Sequence, residues 1–147
     1  MKRIGLLLLL VVLASGYVCA ENKVLSLDGD GDYIQIPEGV WFDGDLTLEA
    51  WVFIRKHTNW SMVIEFGGSD RDHVSFIIEN GESGLPGFAV RARTKWQTIA
   101  SGVSLELNSW VHLACTLNGN SATIYINGVE VGSGNIATPP NNVIRKN

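Results

Sequence analysis

The chain has 147 residues, of which 46% are hydrophobic and 18% are charged, and its formal net charge at pH 7 is −4. This length is enough for one domain whose core needs no disulfide or metal to hold it together. The acidic balance and the lack of a polybasic stretch argue against nucleic acid as a partner and against binding to anionic lipid.

The first twenty residues have the layout of a secretory signal peptide. Lys2 and Arg3 precede the apolar run "IGLLLLLVVL", and small residues lead to Ala20. The apolar run has about ten residues, whereas a membrane span needs about 20. A lipoprotein anchor at Cys19 would need a small residue where Val18 stands. We therefore expect cleavage after Ala20, a mature domain at residues 21–147 and a secreted, extracellular or periplasmic location, with no membrane span.

The rest of the chain alternates apolar and polar residues with a period of two, and turn residues interrupt the alternation about every ten positions. This pattern predicts strands and no helix. The predicted strands are residues 23–27, 33–37, 46–54, 61–66, 73–79, 87–94, 110–117, 121–126 and 129–131. In the first long strand, one face is predicted to carry Leu46, Leu48, Ala50 and Val52. The opposite face would carry Thr47, Glu49, Trp51 and Phe53.

Tight turns between these strands indicate how the chain folds. Asn127 and Gly128 both tolerate positive φ and separate two alternating runs, which predicts a hairpin. Short strands joined in this way predict an all-β fold, a two-sheet antiparallel jelly-roll sandwich. Trp51 and Trp110 lie inside predicted strands, and we expect both to belong mainly to the core.

The sequence ends with a segment that resembles the start of another strand. This segment is "NVIR", at residues 142–145, and the sequence suggests no partner for it. An unpaired sheet edge is an aggregation hazard. We therefore expect the chain to be a fragment whose last strands are missing.

Cys115 is the single cysteine that follows the predicted signal peptide, and it lies in the apolar run "WVHLACTL". This context predicts a small buried side chain rather than a catalytic thiol. His112 is three residues away, so in a strand it would point to the opposite face.

Residues 27–33, "LDGDGDY", place three aspartates at alternate positions. An EF-hand loop that began at Asp28 would need glycine at its sixth position and glutamate at its twelfth. Those positions hold Tyr33 and Gly39, so the EF-hand interpretation fails. The glycines favour a turn between two strands, with the aspartate side chains capping the backbone.

Three segments resemble a known family: "LSLDGDGDYIQIP", "FDGDLTLEAWV" and "WVHLACTLNGNSATIYINGVEVGSG". In this order, over residues 24–144, they resemble the laminin-G-like, concanavalin A-like jelly-roll domains of secreted bacterial proteins. The resemblance implies further strands that this sequence lacks. It also implies a structural calcium ion at the loop ends, with Asp30 and Asp32 as ligands and with Asp43 and Asp45 as partners.

Some relatives by fold are glucanases, which display paired carboxylates on one strand as Glu-x-Asp-x-Glu or a close variant. No such string occurs in this sequence. Neighbouring strands could still bring Glu49, Glu65 and Glu79 together on a polar face, where Arg91 and Arg93 would be salt-bridge partners. Because glycoside hydrolysis needs two carboxylates flanking the sugar bond, we do not expect an enzyme.

Two tryptophans at loop–strand junctions are the predicted stacking platforms for a sugar. Trp60 and Trp96 both stand beside polar residues, and aromatic rings bind sugars by covering their C–H faces. Arg91 and Arg93 complete the predicted ligand-binding set. The alternative for each tryptophan is a structural cap at the end of the sandwich.

These observations predict a secreted, non-catalytic binding module for carbohydrate or for an extracellular protein partner. One alternative is a structural or adhesive spacer domain of a longer extracellular protein. A glycoside hydrolase is a further alternative that only the fold relatives suggest.

Overall fold

The structure is a computed structural model that describes residues 23–69 and 71–146. The predicted signal peptide at residues 1–20 lies outside the described residues. The chain divides into two compact units, one ending at Tyr33 and the other starting at Ile34. Within the described part of the chain, there is no helix long and apolar enough to cross a membrane.

The unit that starts at Ile34 contains two four-stranded antiparallel sheets. The described strands are β1 (Leu46–Phe53), β2 (Met62–Ser69), β3 (Asp72–Ile77), β4 (Gly87–Ala92), β5 (Lys95–Ala100), β6 (Trp110–Asn118), β7 (Ser121–Ile126) and β8 (Val129–Asn135). One sheet has the order β1-β6-β7-β8, and the other has the order β2-β3-β4-β5. The all-β, two-sheet prediction is confirmed.

Alternation of apolar residues along the strands produces the core between the sheets. On β1, the side chains of Leu46, Leu48, Ala50 and Val52 are buried or half-buried. The core also takes alternate residues of the other strands, among them Val74, Phe76, Phe88, Val90, Leu113, Cys115 and Ile124. Full burial of one such aliphatic or aromatic side chain stabilises the fold by about 1.5–3 kcal/mol. The predicted inward face of β1 is therefore confirmed.

The hairpin between β7 and β8 turns at Asn127 and Gly128, as the sequence predicts. Both residues have positive φ, 51° and 78°. The Asn127 side chain also fixes the neighbouring strand, because its Oδ1 accepts a hydrogen bond from the backbone N–H of His112 at 2.9 Å.

Two predicted strands, at residues 23–27 and 33–37, are not strands in the structure. The chain between them bends at residues 29–31, where Gly29 and Gly31 have φ of +82° and +85°. The glycines do turn the backbone, but residues 23–33 are exposed and have no ladder partner among the described residues. Alternation alone predicts a strand only where a neighbour offers backbone groups to pair with.

The sequence prediction missed one strand, β5. It pairs with β4 along its whole length, with Ala92 opposite Lys95 and Gly87 opposite Ala100. The two-residue turn that joins them contains Arg93, which has φ of 63°. A non-glycine residue in this conformation is uncommon, and the sequence "ART" carries no usual turn signal.

The segment at the end of the chain connects two distant parts of the backbone. Arg145 exchanges two hydrogen bonds with Gly39, at 3.1 and 2.9 Å, and Lys146 exchanges two with Gly67 of β2, at 2.7 and 2.6 Å. The strand predicted at "NVIR" thus has partners, and the expectation that it has none is wrong. Lys146 thus pairs at Gly67 with the outer edge of β2, which lies at one side of its sheet.

The Arg145 side chain is 1% exposed, although arginine is almost never fully buried without partners. Its Nη1 donates to the carbonyl oxygen of Asp72 at 3.4 Å, and its Nη2 donates to that of Asn141 at 2.5 Å. Its guanidinium carbon lies 4.8 Å from the centroid of the Phe42 ring. Burial lowers the pKa of Arg145, and the charge of Asp72 partly opposes that shift.

Cys115 is completely buried on β6, as predicted. Burial raises the pKa of its thiol to about 12, and a backbone hydrogen bond with Leu48 opposes this only in part. His112 lies on the opposite face of β6, also as predicted, since it contacts Trp51 and Glu49 on the outside of the sheet. Cys115 is therefore a packing residue at neutral pH.

We expect Arg145→Met to lower the free energy of unfolding by about 2–4 kcal/mol, because it leaves the carbonyl groups of Asp72 and Asn141 without donors and removes the contact with the Phe42 ring. Urea unfolding of the full chain measures this change. Lys146→Met is the matched control: Lys146 pairs with Glu38 at 3.2 Å but its side chain is 72% exposed. Such a pair contributes about 0–1 kcal/mol. Equal losses in the two variants would contradict a structural role for the Arg145 side chain.

Candidate ligand-binding face

The outward side of the β2–β5 sheet brings together two of the predicted ligand-binding residues, Arg91 and Trp96. They are direct partners across β4 and β5, and His73 of β3 is the partner of Arg91 on its other side. Opposite partners on antiparallel strands point to the same face. We call His73, Arg91 and Trp96 the cross-strand row.

The side chains of the cross-strand row contact one another. The Arg91 guanidinium carbon lies 5.6 Å from the centroid of the Trp96 ring, and the His73 and Trp96 ring centroids are also 5.6 Å apart. Because His73 and Trp96 stand on strands about 10 Å apart, the indole must lean across β4 to reach the imidazole. Trp96 remains 48% exposed, so its ring is available for stacking.

Two polar atoms on this face are buried without a hydrogen-bond partner. One is Nε of Arg91, and the other is Oγ of Ser75, which follows His73 at the next outward position of β3. Glu65 of β2 is opposite Ser75, and its Oε1 lies 3.2 Å from Nδ1 of His73. Buried polar atoms nearly always have partners, so these two are exceptions, as are Oγ of Ser109 and Nε of Arg145 elsewhere in the described residues.

Sequence reasoning did not assign His73 and Glu65 to this site. The alternation in residues 73–77 could have placed His73 on this face, because His73, Ser75 and Ile77 share one side of the strand. Arg93, the fourth predicted ligand-binding residue, stands in the exposed turn after β4, next to the cross-strand row. The structure thus groups three of the four predicted residues at one end of the sheet.

Trp60 is separate from this group. It precedes β2, where Met62 is opposite Ile77, so it lies near the other end of β3 from His73. Four residues along a strand span about 13 Å. Its backbone N–H bonds the carbonyl oxygen of Glu79 at 2.8 Å, and its indole covers Gly81, where an added Cβ would be 2.3 Å from Nε1. The ring is nevertheless 52% exposed.

The three carboxylates considered for hydrolysis are not brought together. Glu49 belongs to β1 in one sheet and pairs with His112 at 3.3 Å, while Glu65 belongs to β2 in the other. Glu79 pairs with His57 at 2.8 Å and lies four residues beyond the partner of Glu65, about 13 Å along the strand. None of them forms a salt bridge with Arg91 or Arg93 among the described residues.

The outward side of the other sheet carries an aromatic cluster, and the sequence analysis placed two of its members, Trp51 and Trp110, in the core. Trp51 is 65% exposed and Trp110 is 48% exposed, so the prediction that both are mainly core is wrong. Trp51 packs on His112, with ring centroids 5.2 Å apart, and Phe53 packs on Trp110 at 5.6 Å. We call these four side chains the aromatic face. The sequence analysis had assigned Trp51 to the same face of β1 as Glu49 and Thr47, and these polar neighbours indicated that Trp51 is exposed.

The aspartates of residues 28–32 are used within their own turn. Oδ1 of Asp28 accepts a hydrogen bond from the N–H of Asp30 at 2.8 Å, and Oδ2 of Asp32 accepts one from the N–H of Asp28 at 3.2 Å. Asp45 instead accepts a bond from Gly119 at 2.6 Å. No three His, Cys, Asp or Glu side chains in the described ranges come together as a metal-binding group. Calcium needs six to eight oxygen ligands, so the ion with Asp30 and Asp32 as ligands stays a prediction.

A laminin G family model, described as the concanavalin A-like lectin/glucanases superfamily, matches residues 28–146. The chain belongs to this family. The two antiparallel sheets agree with the sandwich of the family, so the resemblance seen in the sequence is confirmed together with the fold class. No curated protein is similar enough to this laminin G-like domain to count as a match.

Two solved structures are similar to this laminin G-like domain. Domain 4 of AbnA, a GH43 extracellular arabinanase from Geobacillus stearothermophilus, in complex with arabinotriose, has a TM-score of 0.66 and 20% identity over 76% of this chain and 55% of that one. An S-layer domain-containing protein from Clostridium thermocellum has a TM-score of 0.45 and 30% identity over 80% of this chain and 55% of that one. The laminin G-like domain therefore spans about half the length of each, and the first likeness supports the fold alone.

Thermal unfolding of the full chain tests the calcium prediction. With Asp30 and Asp32 as ligands, calcium at 100 times its Kd would raise the free energy of unfolding by about 2.7 kcal/mol relative to chelator. The double variant Asp30→Asn/Asp32→Asn would lose this response. Glu106→Gln, at an exposed acid outside the predicted calcium site, is the control for the loss of one negative charge. An unchanged midpoint in calcium and in chelator would assign the aspartates to the turn alone.

Proposed function

We propose that this laminin G-like domain is a non-catalytic, extracellular carbohydrate-binding module and that its ligand lies on the cross-strand row. The observation that carries the proposal is the exposed Trp96 ring packed beside Arg91 and His73 on an open sheet face. A sugar ring can cover the indole with its C–H groups, while its hydroxyl groups bond to the polar side chains around it.

The polar side chains of the row and family membership support this proposal. Arg91 and His73 are half-buried beside Trp96, so hydroxyl groups of a sugar can bond to their side-chain nitrogen atoms. The family includes lectins and glucanases, and the arabinanase domain that shares the fold was solved with a sugar bound. A non-catalytic role agrees with the separation of Glu49, Glu65 and Glu79, since hydrolysis uses two neighbouring carboxylates.

Affinity electrophoresis of the full chain through gels that contain single polysaccharides tests this function. We expect retardation by at least one polysaccharide, and Trp96→Ala should weaken that binding by about tenfold, since stacking on an aromatic ring contributes about 1–1.5 kcal/mol. Trp51→Ala, on the opposite sheet, is the matched control and should bind like the wild type. Equal retardation of wild type and Trp96→Ala would contradict the cross-strand row as the site.

A second function, adhesion through a protein contact, is favoured by the aromatic face. Trp, Tyr and Phe are enriched in protein interfaces, and contiguous exposed apolar surface marks contact sites. Arg55 lies over the Phe53 ring at 5.9 Å and adds a cation to the rim. The four side chains of the aromatic face are partly exposed, and together they present on the order of a few hundred Å² of surface. This is below the roughly 800 Å² per partner of a stable interface, so the contact would be weak.

We expect self-association of the full chain at high concentration if the aromatic face meets the same face of a second copy. Sedimentation velocity at increasing concentration measures it, and Trp51→Ser/Trp110→Ser should shift the protein to monomer. Trp96→Ser serves as the control, because it removes an exposed tryptophan from the other sheet. A monomer at every concentration for the wild type would rule out this contact between copies.

A further inference from the structure

The turn between β4 and β5 concentrates positive charge beside the cross-strand row. Arg91, Arg93 and Lys95 fall within five consecutive residues that contain no acid, whereas the whole chain has a net charge of −4. Arg93 and Lys95 are exposed, and Arg91 is half-buried beneath the leaning indole of Trp96. A local concentration of positive charge on an acidic protein indicates that the preferred ligand is negatively charged.

The described part of the chain does not neutralise Arg91, Arg93 and Lys95. Neither Arg91 nor Arg93 nor Lys95 forms an ion pair with a carboxylate in the described residues, and no hydrogen bond holds the Arg91 guanidinium. Nε of Arg91 is enclosed without a partner. A guanidinium presents its donors in a fixed fork that matches a carboxylate, so an unpaired one on a ligand-binding face favours such a group.

Among the described residues, two acids stand near this turn, and both are already engaged. Glu65 lies 3.2 Å from Nδ1 of His73, which places its charge on the imidazole rather than on Arg91. The carboxylate of Asp72, at the start of β3, accepts a hydrogen bond from Nδ2 of Asn141. Neither one therefore satisfies the guanidinium of Arg91.

The exposed part of this face is a strip along β5, which fits a polymer. Two depressions on the described surface lie elsewhere, one lined by residues 35–38 with Lys146 and one by the ends of β1 and β6. Ligand sites for small molecules bury most of the ligand in a cleft, whereas a flat sheet face can hold an internal segment of a long chain. Trp96, Thr98 and Ala100 continue this exposed surface along β5.

We propose that the ligand of the cross-strand row is an acidic polysaccharide, with a carboxylate on the sugar held by the fork of Arg91 while the sugar ring covers Trp96. Arg93 and Lys95 attract neighbouring carboxylates of the same chain. This inference rests on the proposed carbohydrate-binding function and adds the charge of the ligand. The adhesive alternative would use the aromatic face and needs none of these three cations.

Matched polysaccharide pairs that differ mainly in charge test the proposal with the full chain. The pairs are polygalacturonate with its methyl ester, alginate with its propylene glycol ester, and carboxymethyl cellulose with hydroxyethyl cellulose. We expect at least one acid form to bind about tenfold or more tightly than its neutral partner, as a hydrogen bond to a charged group would give. The preference should shrink as sodium chloride is raised, because salt screens exposed charges.

Four variants assign that preference to residues. Arg91→Gln should abolish it, and Arg91→Lys should restore only part of it, because lysine keeps the charge but lacks the fork. Arg93→Gln/Lys95→Gln changes only the exposed turn, so it should weaken binding without affecting folding. Lys56→Gln, at an exposed cation in the loop before β2, removes the same charge elsewhere and should bind like the wild type.

The possible results separate this inference from the proposed function. If both members of a pair bind equally and Trp96→Ala loses that binding, the proposal of an acidic ligand is wrong and the proposed carbohydrate-binding function stands. A preference for the acid form that survives in Arg91→Gln and in the turn variant would also overturn it. Failure to bind any of the six polysaccharides would count against the proposed function and against this inference together.

Discussion

The packing of one four-stranded sheet against the other is the constraint on which the rest of the structure depends. It commits every second side chain of each strand to the space between the sheets, where Phe76, Phe88, Leu113 and Ile124 meet. A one-residue slip in any ladder would turn those side chains outward, so the register is strongly fixed. The same rule leaves the alternate side chains of each strand free of the core between the sheets, although Ser75, Ile77 and Ala89 on β3 and β4 are buried on their own side.

The two candidate surfaces follow from that freedom, and they differ in chemistry. The outward side of the β2–β5 sheet combines one exposed indole with an unpaired guanidinium and an imidazole. The outward side of the β1–β6 pair combines three aromatic rings with His112, whose partner is Glu49. The two surfaces lie on opposite sides of the sandwich. A substitution on one surface therefore does not contact the other, and a ligand bound to one leaves the other accessible.

Sequence reasoning succeeded where a local pattern determines the outcome. The faces of β1, the turn at Asn127 and Gly128 and the burial of Cys115 all depend on neighbours close in the sequence. Sequence reasoning failed where a residue distant in the sequence determines whether a strand forms or where a side chain lies. Residues 23–27 alternate but have no ladder partner among the described residues, whereas Lys146 pairs with the distant Gly67. Trp51 and Trp110 were placed in the core because they lie inside predicted strands, although for Trp51 the alternation along β1 put it on the polar face. Arg91 and Trp96 were identified separately, and only the pairing of β4 with β5 shows that they touch.

The pairing of Lys146 with Gly67 also sets an order of events during protein synthesis. Six strands, β3 to β8, lie between these two residues along the chain. Because the N-terminal part of a chain emerges from the ribosome first, β2 leaves it long before the residue that pairs with its edge at Gly67. Translation proceeds at about 5–20 residues per second, so the edge of β2 lacks this partner for several seconds. An open edge of this kind can pair with other chains, which makes that interval the one in which neighbouring nascent copies are most able to join.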